Sequence, residues 1–351
     1  SDKTGYRADG NCRACMVSIE GERVLAASCI RKPTQGMKVS TVDERSKKSR
    51  EMVLELLVTD QPKKDDSHDP NSHFWSMANK VNVEESRFDK KSKSQVPVAD
   101  ISNKAMSVNL DSCIHCNLCV RACREVQVND VIGMGMRGHS SKVIFDFDDP
   151  MGESTCVSCG ECVQACPTGA LMESSLLDEY GKHKGEPDRE VDSLCPYCGV
   201  GCQLTFKIKD EKIVSAIGRD GPANNNRLCV KGRFGFDYIH NPERITKPLI
   251  RKNGIKKDPT ERVNPLDPSS HFREASWEEA LDLVAERLIK IRDNIPGKSL
   301  AGFGCAKGSN EEAYLFQKLV RTGFNNNNVD HCTRMCHASS VAALMEAIGT
   351  G

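Results

Sequence analysis

The sequence predicts a multidomain chain, α+β through most of its length and α/β at its end. Three observations predict it. Two four-cysteine runs lie close together, Cys113-Ile-His-Cys116-Asn-Leu-Cys119-Val-Arg-Ala-Cys123 and Cys156-Val-Ser-Cys159-Gly-Glu-Cys162-Val-Gln-Ala-Cys166-Pro167. A third group, Cys195-Pro-Tyr-Cys198-Gly-Val-Gly-Cys202, precedes two strand-like runs and Cys229. Last, an apolar run at 299–303 passes through Gly302-Phe-Gly304 into a helix opened by Ser309. Strand, glycine turn and helix in that order open a doubly wound α/β sheet.

The chain has 351 residues, enough for two or three domains, and its 49 basic and 49 acidic residues cancel. Such a balance points to no nucleic-acid partner. Eighteen cysteines are far more than an enzyme of this size needs unless they hold metal. Disulfides belong to oxidising compartments and rarely repeat a C-x2-C pitch, so a reducing, cytoplasmic setting is expected. No apolar run approaches the roughly 20 residues of a membrane span.

Each four-cysteine run reads C-x2-C-x2-C-x3-C. Three thiolates at that pitch wrap one 4Fe–4S cubane, and the fourth ligates the other cluster. One ligand set is therefore Cys113, Cys116, Cys119 and Cys166, and the other is Cys156, Cys159, Cys162 and Cys123. Zinc uses C-x2-C pairs but does not need three cysteines at this pitch, twice over. Residues 109–180 form the module, with a glycine-rich turn at 133–138, a strand at 142–147 and short helices after each C-x3-C. His115 lies within a cluster loop, where a histidine either tunes the cluster by hydrogen bonding or, more commonly, faces solvent.

At 1–45, Cys12-Arg-Ala-Cys15 and Cys29 flank two short strand-like runs, a pattern that resembles the second part of a plant-type 2Fe–2S ferredoxin domain. Such a site takes four cysteines, and the first falls about ten residues before Cys12, where Ser1 stands. A truncated N-terminus is expected. Residues 46–60 predict an amphipathic helix capped by Ser46 or Ser49, with Met52, Val53, Leu56 and Leu57 at helical spacing. Residues 61–108 hold no cysteine and read as a polar surface linker with Phe74-Trp75 as its apolar anchor and His68 and His73 solvated. Residues 181–191 read as a second linker.

In 192–247, strands at 203–209 and 212–217 turn at Asp210-Glu211 and return Cys229 to Cys195, Cys198 and Cys202 as a third cubane. Gly199 and Gly201 let that loop approach it closely. Lys231 and Arg233 follow as cations suited to a phosphate-bearing cofactor. Residues 248–275 read as a connecting loop. Capping boxes at Ser276–Glu279 and Ser309–Glu312 open helices, the first with Leu281, Val284, Leu288 and Ile291 on one face. The end holds Val329-Asp-His-Cys-Thr-Arg-Met-Cys336-His337 and a small-residue helix at 338–348.

In this order the modules resemble the alpha subunits of NAD-dependent, molybdenum- or tungsten-containing formate dehydrogenases, within the molybdopterin oxidoreductase family. The resemblance covers the whole chain and rests on Cys195–Cys202, Leu228-Cys-Val-Lys-Gly-Arg233 and 329–337. It implies a partial 2Fe–2S ferredoxin domain (1–45), a helix and linker (46–108), and a two-cluster 4Fe–4S ferredoxin module (109–180). A small β-rich 4Fe–4S domain (192–247) and the start of a doubly wound α/β molybdopterin domain (268–351, truncated) follow.

The resemblance further implies three 4Fe–4S clusters, one 2Fe–2S cluster with an incomplete ligand set in this chain, and a bis-molybdopterin guanine dinucleotide bearing Mo or W. Cys336 would ligate that metal, His337 would face the substrate, and Lys231 would lie between cubane and pterin. Gly304, Ser309 and Asn310 would meet the pterin phosphates. The reaction implied is formate to CO2, reversibly, with a flavoprotein subunit carrying FMN and NAD and a small 2Fe–2S subunit as partners. Two departures stand out: no His/Cys3 cubane in 61–108, and a family active-site arginine that falls beyond Gly351. Nitrate reductase shares the 195–233 module, but a histidine directly after the metal-ligating cysteine favours formate. An electron-transfer subunit like that of NADH dehydrogenase, lacking a working metal site, is the rival of another class.

Overall fold

The computed structural model describes residues 6, 8–89, 97–264, 266–295 and 300–350. The chain forms two compact units. The first is Ser1–Asp192, Leu204–Gly221 and Asn225–Phe234; the second is Ser193–Gln203, Pro222–Asn224 and Gly235–Gly351.

The first unit begins with a small antiparallel sheet in the order β2-β1-β3, from β1 (Met16–Ile19), β2 (Ala26–Ala27) and β3 (Val39–Ser40). Helix α1 (Glu44–Thr59) follows. Its cap is Asp43, whose carboxylate accepts the Ser46 backbone N–H, and not Ser46 or Ser49, because Ser46 is itself buried one turn in. The expected linker at 61–108 is in part structured. Helix α2 (His73–Lys80), capped by Ser72, buries Phe74, Trp75 and Ala78 against Leu54 and Val58 of α1. His68, expected in solvent, is buried, and its imidazole sits within reach of the Asn109 amide. The tail of the segment, β4 (Met106–Val108), belongs to the next module.

That module is pseudo-symmetric. Helix α3 (Leu118–Arg121) runs into a π-helical turn at Ala122–Val126, and β5 (Ile132–Gly135) pairs with β6 (Lys142–Phe145). Helix α4 (Glu161–Ala165) leads to β7 (Leu171–Glu173), which pairs antiparallel with β4. Two differences from the sequence reading stand out. The helices do not follow the fourth cysteine but precede it: α3 holds Cys119 with Cys123 in the π-helical turn behind it, and α4 holds Cys162 with Cys166 at its C-cap. The glycine-rich stretch is largely strand, since Gly133 and Gly135 lie against Ile144 across the pair. The core joins Met106, Val120, Ile132, Val143, Phe145 and Met151 with the cysteines themselves.

Residues 181–191 are also not all linker: β8 (Arg189–Leu194) extends a sheet ordered β10-β9-β8, with β9 (Gln203–Lys209) and β10 (Lys212–Gly218). The turn at Asp210-Glu211 has both residues left-handed, with φ of +49° and +58°. That handedness suits the twist of a two-residue hairpin. Helix α5 (Val230–Phe234) closes this unit.

In the second unit, β11 (Leu249–Arg251) and β12 (Phe272–Glu274) pair antiparallel across what reads in sequence as a loop. Helix α6 (Trp277–Asn294) is capped by Ser276, but only half the predicted box forms: Glu279 is drawn to Arg273. Strands β13 (Gly302–Gly304) and β14 (Val329–His331) pair in parallel. Between them α7 (Asn310–Lys318) has the complete Ser309–Glu312 box. Helices α8 (Thr333–Cys336) and α9 (Ala338–Ile348) follow.

Candidate functional site

The two cysteine runs fold alike. In the first, His115 and Asn117 are left-handed at φ +53° and +62°; in the second, Ser158 and Gly160 are, at +53° and +75°. This alternation turns backbone N–H groups inward. His115 N–H points at the Cys113 sulfur and Ser158 N–H at the Cys156 sulfur, each at 3.4 Å. Cys113, Cys116 and Cys119 line one cavity with Cys166, walled by Leu110, Val143 and Leu171. Burial pushes the Cys116 thiol up to about 11, with the Cys166 and Cys113 charges adding to it. The Cys119 thiol is raised further by burial, then by Cys166, Cys113 and Cys116. Cys162 is buried, and burial raises its thiol, with Cys119, Cys159, Cys156 and Cys123 adding to it. The Val131 N–H reaches the Cys123 sulfur at 3.3 Å.

Thiols crowded in a dry cavity resist ionising unless a cation is supplied. Among the described residues no three Cys, His, Asp or Glu side chains close on a single ion. The first run's thiols instead ring a space. Four thiols, apolar walls and N–H groups aimed at sulfur are the donor set an iron–sulfur cluster uses.

Cys12, Cys15 and Cys29 come together where β1 and β2 pair. Ser28 N–H donates to the Cys15 carbonyl at 3.1 Å. Burial would raise the Cys15 thiol, but hydrogen bonds involving Cys29 and Ser28 draw it below its ordinary value. Cys29 is raised by burial and by the neighbouring Cys15 and Cys12. Cys12 and Cys29 are exposed.

In the second unit Cys195 is buried and donates its N–H to the Cys202 carbonyl at 2.9 Å. The Asn224 amide fastens the end of this loop, accepting from Gln203 N–H at 3.0 Å and donating to its carbonyl at 2.9 Å. The Tyr197 hydroxyl donates to the Gly235 carbonyl. Cys229, the expected fourth ligand, lies in the first unit, just ahead of α5.

The same unit holds a cleft of about 630 Å³ at the carboxyl ends of β13 and β14, where ligands bind in open α/β sheets. Gly304, Ser309 and Asn310 all line it, with Gly199, Cys305, Lys307 and His331. The Asn310 amide donates to the Gly199 carbonyl at 2.8 Å. A Cβ on Gly199 would meet Asn310 Oδ1 at 2.7 Å, so a side chain there would push that amide aside. Backbone N–H groups of a capped helix start and a lysine suit a phosphate-bearing group, so the residues present fit one. Cys336 and His337 are exposed at the end of α8 and outside the lining of this cleft. Lys231 is exposed on α5.

Arg233 departs from the sequence reading. Expected as a cation for phosphate, it is 1% exposed, and its Nε donates to the Cys159 carbonyl at 3.1 Å. Its Nη2 donates to Gln164 Oε1 at 2.8 Å and lies 3.6 Å from Glu161 Oε2. The sequence supplies the charge, but the turn of a five-residue helix sets its direction.

Sequence reasoning passes over Glu161, Gln164, Cys305, Lys307 and His331. A signal for Glu161 exists, since a carboxylate inside a cysteine run is costly to bury without a cation. Cys305 and Lys307 directly follow the glycine turn that was singled out.

Four domain families match the chain. They are a 2Fe–2S iron–sulfur cluster binding domain at 1–44, a 4Fe–4S dicluster domain at 112–170, the molybdopterin oxidoreductase Fe4S4 domain at 188–241 and the molybdopterin oxidoreductase domain at 244–350. A protein of Staphylococcus haemolyticus named "Putative formate dehydrogenase" is 31% identical over 97% of this chain and 36% of its own length. "Probable oxidoreductase YjgC" of Bacillus subtilis is 32% identical over the same shares. A chain of an NAD+-reducing [NiFe]-hydrogenase superposes on 50% of this chain and 76% of its own, at TM-score 0.43 and 23% identity. The chain thus spans about a third of the length of the curated relatives it matches. With iron–sulfur domains of these types leading into the molybdopterin domain, the chain belongs to the molybdopterin oxidoreductase family.

Proposed function

We propose that the full protein is a formate dehydrogenase, oxidising formate to CO2 reversibly, and that this chain forms the first part of its catalytic subunit. What supports the reading is the alignment of 97% of the chain with relatives bearing that name. When bound, a bis-pterin guanine dinucleotide with molybdenum or tungsten would supply two-electron oxidation, and the iron–sulfur clusters one-electron transfer. Cys336 is assigned as a soft thiolate ligand of that metal. His337 follows it to orient formate or relay a proton.

Gly304, Ser309, Asn310 and Lys231 are assigned to the cofactor. Arg233 is not. Cys113, Cys116, Cys119 and Cys166 hold one cubane, and Cys156, Cys159, Cys162 and Cys123 the next. Cys195, Cys198, Cys202 and Cys229 hold the third, and Cys12, Cys15 and Cys29 belong to a 2Fe–2S site. A flavoprotein subunit with FMN and NAD, beside a small 2Fe–2S subunit, receives the electrons.

The test is EPR of the full-length subunit purified without oxygen. Formate alone should produce reduced iron–sulfur signals. Reduction by dithionite but not by formate would sink the reading and leave an electron conduit or a subunit acting on another oxyanion.

A further inference from the structure

Within the first unit Arg233 links Cys229, a ligand of one candidate set, to the loop that carries Cys159 of another. Its backbone N–H donates to the Cys229 carbonyl at 3.0 Å. Its side chain donates to the Cys159 carbonyl at 3.1 Å. A chain of hydrogen bonds therefore runs from Cys229 through one residue to Cys159. The guanidinium is enclosed. Gln164 accepts from it at 2.8 Å, and Glu161, 3% exposed at its side chain, lies 3.6 Å away. Glu161 also lies 3.9 Å from Arg227 and accepts from the Tyr6 hydroxyl at 3.4 Å.

The loop is shaped for this contact. A Cβ on Gly160 would stand 2.2 Å from Arg233 Cδ, and Gly160 is left-handed at φ +75°. The backbone thus surrenders a side chain to admit the guanidinium between Cys159 and Cys162.

A buried ion pair seldom adds net stability over an apolar replacement of the same volume. Its placement against a cysteine loop therefore calls for an electrostatic account. Reduction of a cluster adds one negative charge, and a fixed cation in a medium of low dielectric favours the reduced form.

We propose that Arg233 is a positioning residue that raises the reduction potential of the cluster at Cys156, Cys159, Cys162 and Cys123 and couples it to the Cys229 segment. Glu161 holds the guanidinium in place and partly offsets its charge. The inference rests on the cluster ligand sets proposed above.

The experiment uses the full-length subunit, purified anaerobically, with Arg233→Met and Glu161→Gln. Iron and acid-labile sulfide are counted first, and a wild-type preparation lacking three cubanes would overturn the ligand sets themselves. EPR-monitored redox titration then tests the inference. Arg233→Met should shift the reduction equilibrium of that one cluster at least tenfold toward the oxidised form, about 59 mV for one electron. Glu161→Gln should shift it the other way. A Met variant with full cluster content and an unmoved potential overturns the proposal. Should Met cost the cluster, Glu161→Gln decides, and no rise in potential is then the overturning result.

Discussion

Glu173 ends β7 with its side chain 3% exposed and one carboxylate oxygen lacking a hydrogen-bond partner among the described residues. Burial pushes its pKa up to about 7, with the Ser215 hydrogen bond and the Arg233 and Lys207 charges pulling the other way. The sign follows from proton counting. Between the free carboxyl value and 7 the folded chain binds more protons than the unfolded one, so stability falls as pH rises through that window. The full loss amounts to about 3 kcal/mol above it. Urea unfolding of the cluster-loaded protein should show lower stability at pH 8 than at pH 5, with Glu173→Gln flattening the difference. Equal slopes in the two proteins would refute the argument. This carboxylate illustrates what a sequence withholds: Glu173 looks like any strand-end acid until β10 is laid across it. Arg233 was misdirected for the same reason, because charge is written in the residue and its partner is not. The cysteines were legible because their chemistry depends on residue type and pitch, which a sequence states outright.

Among elements, α3 and α4 matter most, since each carries the third cysteine of a run and delivers the fourth just past its end. Cys166 lines the cavity of Cys113, Cys116 and Cys119, and Cys162 has Cys119 and Cys123 of the other run among its neighbours. Cys166→Ser should therefore disturb the EPR signal of the Cys113 run and spare that of the Cys156 run, with Cys123→Ser doing the reverse. Loss of each run's own signal would contradict the exchange. Elements were less legible than motifs. Helix α2 is eight residues long in a polar stretch, too short for its period to show, yet Phe74 and Trp75 anchor it against α1. The β11–β12 pair escaped notice because three-residue strands around a charged loop carry no alternation to read. Tertiary pairing, not local preference, makes both.

At the scale of the whole molecule the two units differ in how they bury apolar surface. The first has its cysteine-rich core and the α1–α2 cluster. In the second, α6 has no buried residue, and Trp277, Leu281, Val284 and Leu315 are exposed beside a pair of three-residue parallel strands. Segments with few buried contacts open at low cost. Limited proteolysis of residues 1–351 should cut within 244–351 well before 106–175; simultaneous loss of both would show equal stability. No helix among the described residues is long and apolar enough to cross a membrane.

The cavity that Cys166 shares with Cys113, Cys116 and Cys119 also sets a timetable. A ribosome delivers residue 113 first and residue 166 last, so a nascent chain paused between the two runs offers three thiols and an open wall. Completion of the earliest pocket waits on the latest cysteine. Translation therefore passes through a window in which that pocket lacks its fourth thiol, closed only when the second run has emerged.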